Sequence, residues 1–159
     1  MLGRTKKGFG VKSSVDTARR VHTLINAERK RRGLRPLYWS IACANYAQSS
    51  ADGCARLGQL VHAHLLHWDG GENLAFGGGH FTPRAIVNGW MRSRAGHREN
   101  LLNPRATMAG VGVTRKGKQT YVAWIFSRVP PTYSDCPGYR VHRQRGGFLR
   151  KMIQFLFGK

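Results

Sequence analysis

Apolar residues recur at helical spacing in the first third of the chain. One such pattern begins at Asp16, whose carboxylate suits the first turn of a helix, and stops at Gly33. A second begins after Ser40, a good N-cap residue, and runs through small residues to Leu57. The pattern therefore predicts two amphipathic helices, the second with a surface small enough to pack closely on another element.

Three further elements follow a segment with little periodicity. Residues 58–82 are rich in Gly and His, which predicts a long irregular connection of the kind that often carries function. Thr82-Pro83 then suits the cap and first position of a third helix, which should end near Gly96. The runs 109–115 and 120–126 are apolar and separated by a turn sequence, so they predict a β-hairpin.

The composition changes at both ends of the chain. Residues 1–14 are predicted to form a flexible basic arm, residues 15–131 a single domain, and residues 132–159 a basic extension. The extension contains a short amphipathic helix that suits packing on the domain's own core, an anionic membrane surface or a partner protein. The residues expected to meet a membrane are Phe148, Leu149, Arg150, Lys151, Met152, Ile153, Phe155 and Leu156.

Positive charge dominates the surface that this chain presents. Its 27 Lys and Arg exceed its 7 Asp and Glu, giving a formal net charge of +20. Such a field favours polyanions such as nucleic acid, anionic lipid or an acidic cell-surface polymer. Because the basic residues are spread along the whole chain, a solvated basic surface without a dedicated partner is an equal alternative.

Three cysteines cannot all pair within one chain, so at least one thiol stays free. Cys43 and Cys54 belong to the same predicted helix, where their eleven-residue separation corresponds to roughly 16 Å, beyond disulfide reach. An internal disulfide would therefore have to include Cys136. The alternative is three reduced, buried cysteines.

Histidine and carboxylate side chains concentrate between residues 62 and 97. Two imidazoles and a carboxylate can form the inner ligand shell of Zn²⁺ with a position left for water, although no pair here has the spacing of a helical zinc motif. Ser93 and His97 lie four residues apart, and they are a weaker candidate for a nucleophile and its base. The candidate metal ligands are His62, His64, His67, Asp69, Glu72, His80 and His97.

Several motifs in order resemble the CAP superfamily, which includes cysteine-rich secretory proteins, antigen 5 and pathogenesis-related 1 proteins. They are "INAERKRRGLRPLYWS", "GGENLAFG", "VNGWMRSRAGHRENLLNP", "AGVGV" and "YVAWIF". The similarity extends from about residue 18 to 128, and it is greatest to the microbial branch of the superfamily. It implies an α+β fold, a three-layer α-β-α sandwich around a small antiparallel sheet.

The same resemblance implies a cleft formed by two His and two Glu, in which the His pair binds a divalent metal, commonly zinc. Glu72 and His97 match the family's motifs, and His67 is the best placed candidate for the first His, with His64 and His62 as alternatives. Ser93 stands where many relatives have the second Glu. Because Ser is no base near neutral pH, this departure makes a dedicated hydrolase less favoured.

These expectations define a monomeric, non-enzymatic binding module for a lipid-like or cell-surface ligand, with weakly held zinc. A metal-dependent hydrolase that uses Glu72 is the alternative, and charge-driven nucleic-acid binding is the second alternative. Relatives are mostly secreted or displayed on the cell surface. This sequence shows no signal peptide or membrane-spanning segment, which leaves a cytoplasmic or membrane-peripheral location as the competing expectation.

Overall fold

Four helices and four strands make up the residues that the computed structural model describes, 14–63, 69–79 and 81–129. The helices are α1 (Ser14–Lys30), α2 (Ile41–Leu57), α3 (Pro83–Arg92) and α4 (His97–Leu101). The strands are β1 (Tyr38–Trp39), β2 (Gly70–Gly78), β3 (Met108–Lys116) and β4 (Gln119–Ser127).

Side-chain caps fix the starts of the two helices that the sequence predicts most sharply. The Ser40 hydroxyl accepts a hydrogen bond from the backbone N–H of Cys43 at 3.1 Å, which caps α2. The Thr82 hydroxyl accepts from Ala85 N–H at 3.2 Å, and Pro83 follows at the first helical position of α3. Both predicted starts are confirmed. The first helix begins at Ser14, two residues before the predicted Asp16.

The four strands form one sheet in the order β1-β3-β4-β2. Strands β3 and β4 are the predicted hairpin, and β2 pairs antiparallel with the other side of β4. Strand β1 pairs parallel with β3 through Tyr38–Met108 and Trp39–Ala109, so the sheet is mixed where an antiparallel one was expected. A two-residue strand is too short to show alternation, which is why no sequence pattern predicts it.

Helices cover both faces of the sheet, so the predicted three-layer α-β-α sandwich is confirmed. Helices α1 and α3 pack on the face that carries Trp124 and Phe126, with Val21, Ile25 and Trp90 in the same core cluster. Helix α2 packs on the opposite face against a smaller cluster, whose members include Ala47, Ala51, Leu74, Tyr121 and Ile125. Alternation along β4 sends successive side chains to the two cores.

Besides β1, two further elements lie where the sequence predicted none. Strand β2 takes up nine residues of the segment 58–82, which was expected to be irregular. Its residues Glu72, Asn73 and Leu74 are all buried, so no alternation of polar and apolar residues marks the strand. Helix α4 begins directly after Gly96, and its five residues are too few to show a helical period.

The backbones of α2 and β3 approach each other at two glycines. A Cβ atom placed on Gly110 would lie 2.1 Å from the backbone nitrogen of Ala44, and one on Gly112 would lie 2.3 Å from the carbonyl carbon of Ala47. Both neighbours are main-chain atoms of a helix, which cannot rotate away as a side chain would. The "AGVGV" sequence therefore provides the space into which α2 packs.

Gln48 of α2 hydrogen-bonds to the outer edge of β3. Its amide oxygen accepts from Val113 N–H at 3.1 Å, and its amide nitrogen donates to the Val113 carbonyl at 3.5 Å and to the Thr114 hydroxyl at 2.8 Å. Asp52, one turn further along α2, accepts from the same amide nitrogen at 3.0 Å. The side chain thus pairs with both peptide groups of Val113, as a neighbouring strand would.

Several predicted features fall partly or wholly outside the described residues. These are the arm (1–14, described only from Ser14), Cys136, and the extension 132–159 with its amphipathic helix, all of which remain predictions. Cys43 and Cys54 are both buried in α2 and form no disulfide with each other, as their separation predicts. No helix in the described part of the chain is long and apolar enough to cross a membrane.

Substituting Gly110 with Ala should destabilise the domain strongly. The added methyl meets main-chain atoms of α2, so we expect a loss of about 3 kcal/mol or more in unfolding free energy, measured by urea denaturation. Gly89→Ala is the matched control, because Gly89 is exposed in α3 and a Cβ atom added to it would have no neighbour within 4 Å. That control should gain about 0.5–1 kcal/mol from helix propensity. Equal stability of the two variants would contradict the close contact.

His22 is a largely buried imidazole on α1. Its Nε2 lies 3.2 Å from the Leu37 carbonyl, its ring packs edge-on against Trp39, and its Nδ1 is buried without a partner among the described residues. Burial, and to a smaller extent the positive charge of Arg19, lowers the pKa of His22 to about 4 from 6.5. The folded protein therefore keeps this ring neutral in mildly acidic solution.

Stability should fall between pH 6.5 and 4 for this reason. The unfolded chain binds a proton at His22 over this interval and the folded chain does not, so the contribution is complete above about pH 6.5 and lost as pH falls towards 4. The shift corresponds to about 3 kcal/mol. Urea denaturation at several pH values should show a shallower acid slope for His22→Gln, which cannot take up the proton. Identical slopes for the two proteins would contradict this assignment.

Candidate functional site

Glu72 of β2 is a buried carboxylate with three hydrogen-bond donors around it. Its Oε1 accepts from the Ser50 hydroxyl of α2 at 2.6 Å. Its Oε2 lies 2.8 Å from His62 Nδ1 and accepts from the backbone N–H of Ala63 at 3.0 Å. The Glu72 side chain is 3% exposed whereas that of His62 is 65% exposed, so the carboxylate forms the floor and the imidazole reaches solvent.

A buried thiol holds the segment that carries His62. Cys54 of α2 donates from Sγ to the Val61 carbonyl and accepts from the Val61 N–H, both at 3.4 Å. The next two residues, His62 and Ala63, are bound by Glu72. Residues 61–63 are therefore fixed by polar contacts to α2 and β2, although they form no helix or strand.

Ser93 and His97 form a second hydrogen-bonded pair after α3. Ser93 Oγ lies 2.8 Å from His97 Nδ1 and accepts from the backbone N–H of Ala95 at 3.1 Å. Ser93 is the C-terminal cap residue of α3, and His97 is the first residue of α4. The turn between these two helices thus brings the pair together, although the residues do not share one continuous helix.

Two asparagines connect the second pair to the strand of Glu72. Asn73 donates to the His97 carbonyl at 2.9 Å, and Asn100 of α4 donates to Asn73 Oδ1 at 2.9 Å and to the Glu72 carbonyl at 3.4 Å. Trp90 of α3 adds a hydrogen bond from Nε1 to the Leu74 carbonyl at 2.8 Å. Strand β2 is therefore the common support of Glu72 and of the helix that carries His97.

Asp69 has a structural partner at the start of β2. Its carboxylate lies 2.5 Å from Arg128 Nη2, and its carbonyl accepts from Arg128 N–H at 2.7 Å. These contacts join the approach to β2 to the end of β4. Neither contact involves Glu72 or His97.

The predicted site residues divide into those described and those outside the described part. Glu72, Ser93 and His97 lie in the arrangement above, whereas His64, His67 and His80 fall among the residues that the structure does not describe. Within the described residues, no three or more His, Cys, Asp or Glu side chains are grouped to hold a metal ion. In both His62 and His97 the Nδ1 atom takes part in a hydrogen bond, so Nε2 is the ring nitrogen outside that contact.

Sequence reasoning missed Ser50 and ranked His62 behind His67. Ser50 carries no motif, because its importance comes from a position on α2 opposite β2. The rank of His62 came from its distance in sequence to Glu72, yet His62 contacts that carboxylate across a ten-residue separation. The place of His67 stays a prediction.

An apolar groove opens beside the Glu72 carboxylate. It has a volume of about 250 Å³ and lies between the outer side of α2 and the segment 58–63. Exposed Tyr46, Leu57 and Val61 line it, and Cys54 is buried in its wall. Ser50 and Ala63, both donors to Glu72, also line it. The groove therefore lies next to the hydrogen bonds of Glu72 and shares two residues with them.

The α-β-α sandwich and the site built on "GGEN" and "GHR" define a class, the CAP domains. Residues 22–127 match the family model described as the cysteine-rich secretory protein family, and the chain belongs to this family. It is 31% identical over 113 residues to the protein YkwD of Bacillus subtilis, covering 62% of this chain and 43% of that protein. It is 36% identical over 103 residues to pathogenesis-related leaf protein 4 of Solanum lycopersicum, covering 62% and 55%. The chain thus spans about half the length of these relatives.

Solved structures show the same fold. One is an extracellular protein with an SCP domain from Bacillus anthracis, with a TM-score of 0.60, 21% identity, and coverage of 80% of this chain and 45% of that one. Another is an outer surface protein of Borrelia burgdorferi, with a TM-score of 0.61, 16% identity, and coverage of 72% and 94%. At these identities the similarity establishes the architecture, which agrees with the layers described above.

Proposed function

We propose that this CAP domain is a binding module for a small ligand that has an apolar body and a polar end. The observation that carries the proposal is the groove beside Glu72, whose lining is almost entirely apolar and includes two hydroxyl residues, Ser49 and Ser50. Ligand pockets commonly combine an apolar lining with a few placed polar groups. A lipid-like molecule or an amphiphilic cell-surface component has the matching chemistry.

The hydrogen bonds of Glu72 favour binding over catalysis. Ser50, His62 and Ala63 already direct three donors at its two oxygens, so few acceptor positions of the carboxylate remain for a substrate or a water molecule. Ser93 and His97 lie in hydrogen-bonding distance, but a nucleophile also needs donors that stabilise an oxyanion and a group that orients the base. We therefore propose a non-enzymatic role.

Filling the groove should weaken the binding of an apolar probe. Gly53 of α2 lines the groove, and a Cβ atom there would lie 3.9 Å from its nearest neighbour, the Arg56 guanidinium. Gly53→Leu should therefore occupy the groove without a backbone clash. We expect it to weaken the binding of N-phenyl-1-naphthylamine, a neutral fluorescent probe, by about tenfold or more, since that change corresponds to about 1.4 kcal/mol of lost contact.

Gly89→Leu is the control for this experiment, because it makes the same substitution on an exposed helical glycine of α3. It should bind the probe as the unmodified protein does. A neutral probe avoids attraction to the +20 net charge of the chain. Equal binding by both variants would remove the groove as the ligand site.

We further propose weak binding of a divalent metal such as Zn²⁺ by His97 together with His62. Glu72 and Ser93 hydrogen-bond to the Nδ1 atoms, an arrangement that fixes ring orientation and leaves Nε2 as the coordinating nitrogen. Two protein nitrogens with water in the remaining positions suit a weakly held ion. When bound, the metal would supply Lewis acidity and a fixed positive charge at the cleft.

Zn²⁺ titration calorimetry with histidine variants tests this assignment. His62→Ala and His97→Ala should each weaken Zn²⁺ binding by about tenfold or more, and Glu72→Gln should weaken it by about tenfold through loss of ring orientation. Glu99→Gln, an exposed carboxylate on α4, is the matched control and should have no effect. If His67→Ala lost Zn²⁺ binding and His62→Ala kept it, the first ligand would be His67 and the proposal would be wrong.

A further inference from the structure

Arg29, in the last turn of α1, is a fully buried cation. No described carboxylate lies within ion-pair distance of it, although Glu28 beside it pairs with Arg31 and Arg32 at the surface. A buried charge is costly without compensation, and an apolar side chain of similar size is often as stable in such a position. Hydrophobic packing alone therefore does not account for an arginine here.

The guanidinium group compensates by donating to three backbone carbonyls. Its Nε donates to the Arg35 carbonyl at 2.9 Å, and its Nη1 donates to the carbonyls of Leu101 at 2.9 Å and Asn103 at 3.0 Å. Leu101 is the last residue of α4, where carbonyl groups have no partner within the helix. The planar fork of Arg can serve carbonyls in different directions, which the single ammonium of Lys does less well.

These bonds fix the C-terminal end of α4, and other polar bonds fix its N-terminal end. At that end Asn73 of β2 donates to the His97 carbonyl at 2.9 Å. The helix has only five residues, so little apolar surface is available to hold it, and Leu101 is its one buried residue. The orientation of α4 thus depends on hydrogen bonds from α1 and β2.

We infer that Arg29 is a positioning residue that sets the place of His97 in the site. The inference rests on the proposed role of His97 as a ligand. The guanidinium binds the last carbonyl of α4 and the chain just beyond it, about one helical turn from His97. It therefore acts on the imidazole through the backbone of this short helix.

Nuclear magnetic resonance of the full chain separates this role from a contribution to stability alone. Long-range ¹H–¹⁵N spectra of the His97 ring report its tautomer and its hydrogen bond to Ser93, and they are recorded on metal-free protein well below the melting temperature. We expect Arg29→Lys to shift the His97 Nδ1 resonance and to weaken Zn²⁺ binding by about tenfold. Arg32→Lys, the same substitution on a neighbouring surface arginine, should change neither.

Arg29→Met is the second variant, because an apolar side chain removes the buried charge and preserves folding if the lysine variant does not fold. It should shift the same resonance. If a folded Arg29 variant showed unchanged His97 ring spectra and unchanged Zn²⁺ binding, the inference would be wrong, whatever the melting temperature of the variant. Absence of Zn²⁺ binding in the unmodified protein would instead contradict the metal proposal, while the ring spectra would still test Arg29.

Discussion

The direct contact between the backbones of α2 and β3 is the constraint on which the rest of the domain depends. At Gly110 and Gly112 the helix lies too close to the strand for any side chain to fit between them. Main-chain atoms in contact allow little rotation or sliding, so the position of α2 on the sheet is defined closely. Because Ser50 and Cys54 belong to α2, the same contact aligns the donor to Glu72 and the thiol that holds Val61.

Hydrogen bonds hold β2 and the short helix α4 together, because α4 has little apolar surface to pack. Asn73, Asn100 and Trp90 bind peptide groups of β2 and α4, and Arg29 binds the far end of α4. Each bond is modest in net free energy, but a buried polar group left without its partner costs about 1–3 kcal/mol. Removing one member of this network therefore leaves its partner unsatisfied. The network also links β2, which carries Glu72, to α4, which carries His97.

The sequence predicted best the elements that carry a local signal. Ser40 and Thr82-Pro83 mark helix starts because a cap acts over three residues, and Gly117 marks the hairpin because its positive φ of 59° suits a turn. Strand β2 and helix α4 were missed because their residues are held by distant partners. Asn73 is buried in a strand since Asn100 lies opposite it, and no short window of sequence contains that pairing.

The residues of the candidate site also differ in how far a local pattern marks them. Motif resemblance located Glu72 and His97, since "GEN" and "GHR" are local patterns. It could not identify Ser50, or give His62 its contact with Glu72, because these depend on where α2 and the segment after it cross β2. Charge was less informative, because the +20 field belongs to the whole chain and does not distinguish one surface from another.

The pairing of Gln48 with Val113 has a consequence for how this domain behaves at high concentration. Strand β3 lies beside the two-residue β1, so among the described residues most of its length has no neighbouring strand on that side, and open edges invite strands from other molecules. The Gln48 amide occupies both peptide groups of Val113, and Arg115 and Lys116 place like charges just beyond it. A strand from a second copy that paired here would have to displace the Gln48 amide. The edge is thereby protected against strand addition and the aggregation that follows from it.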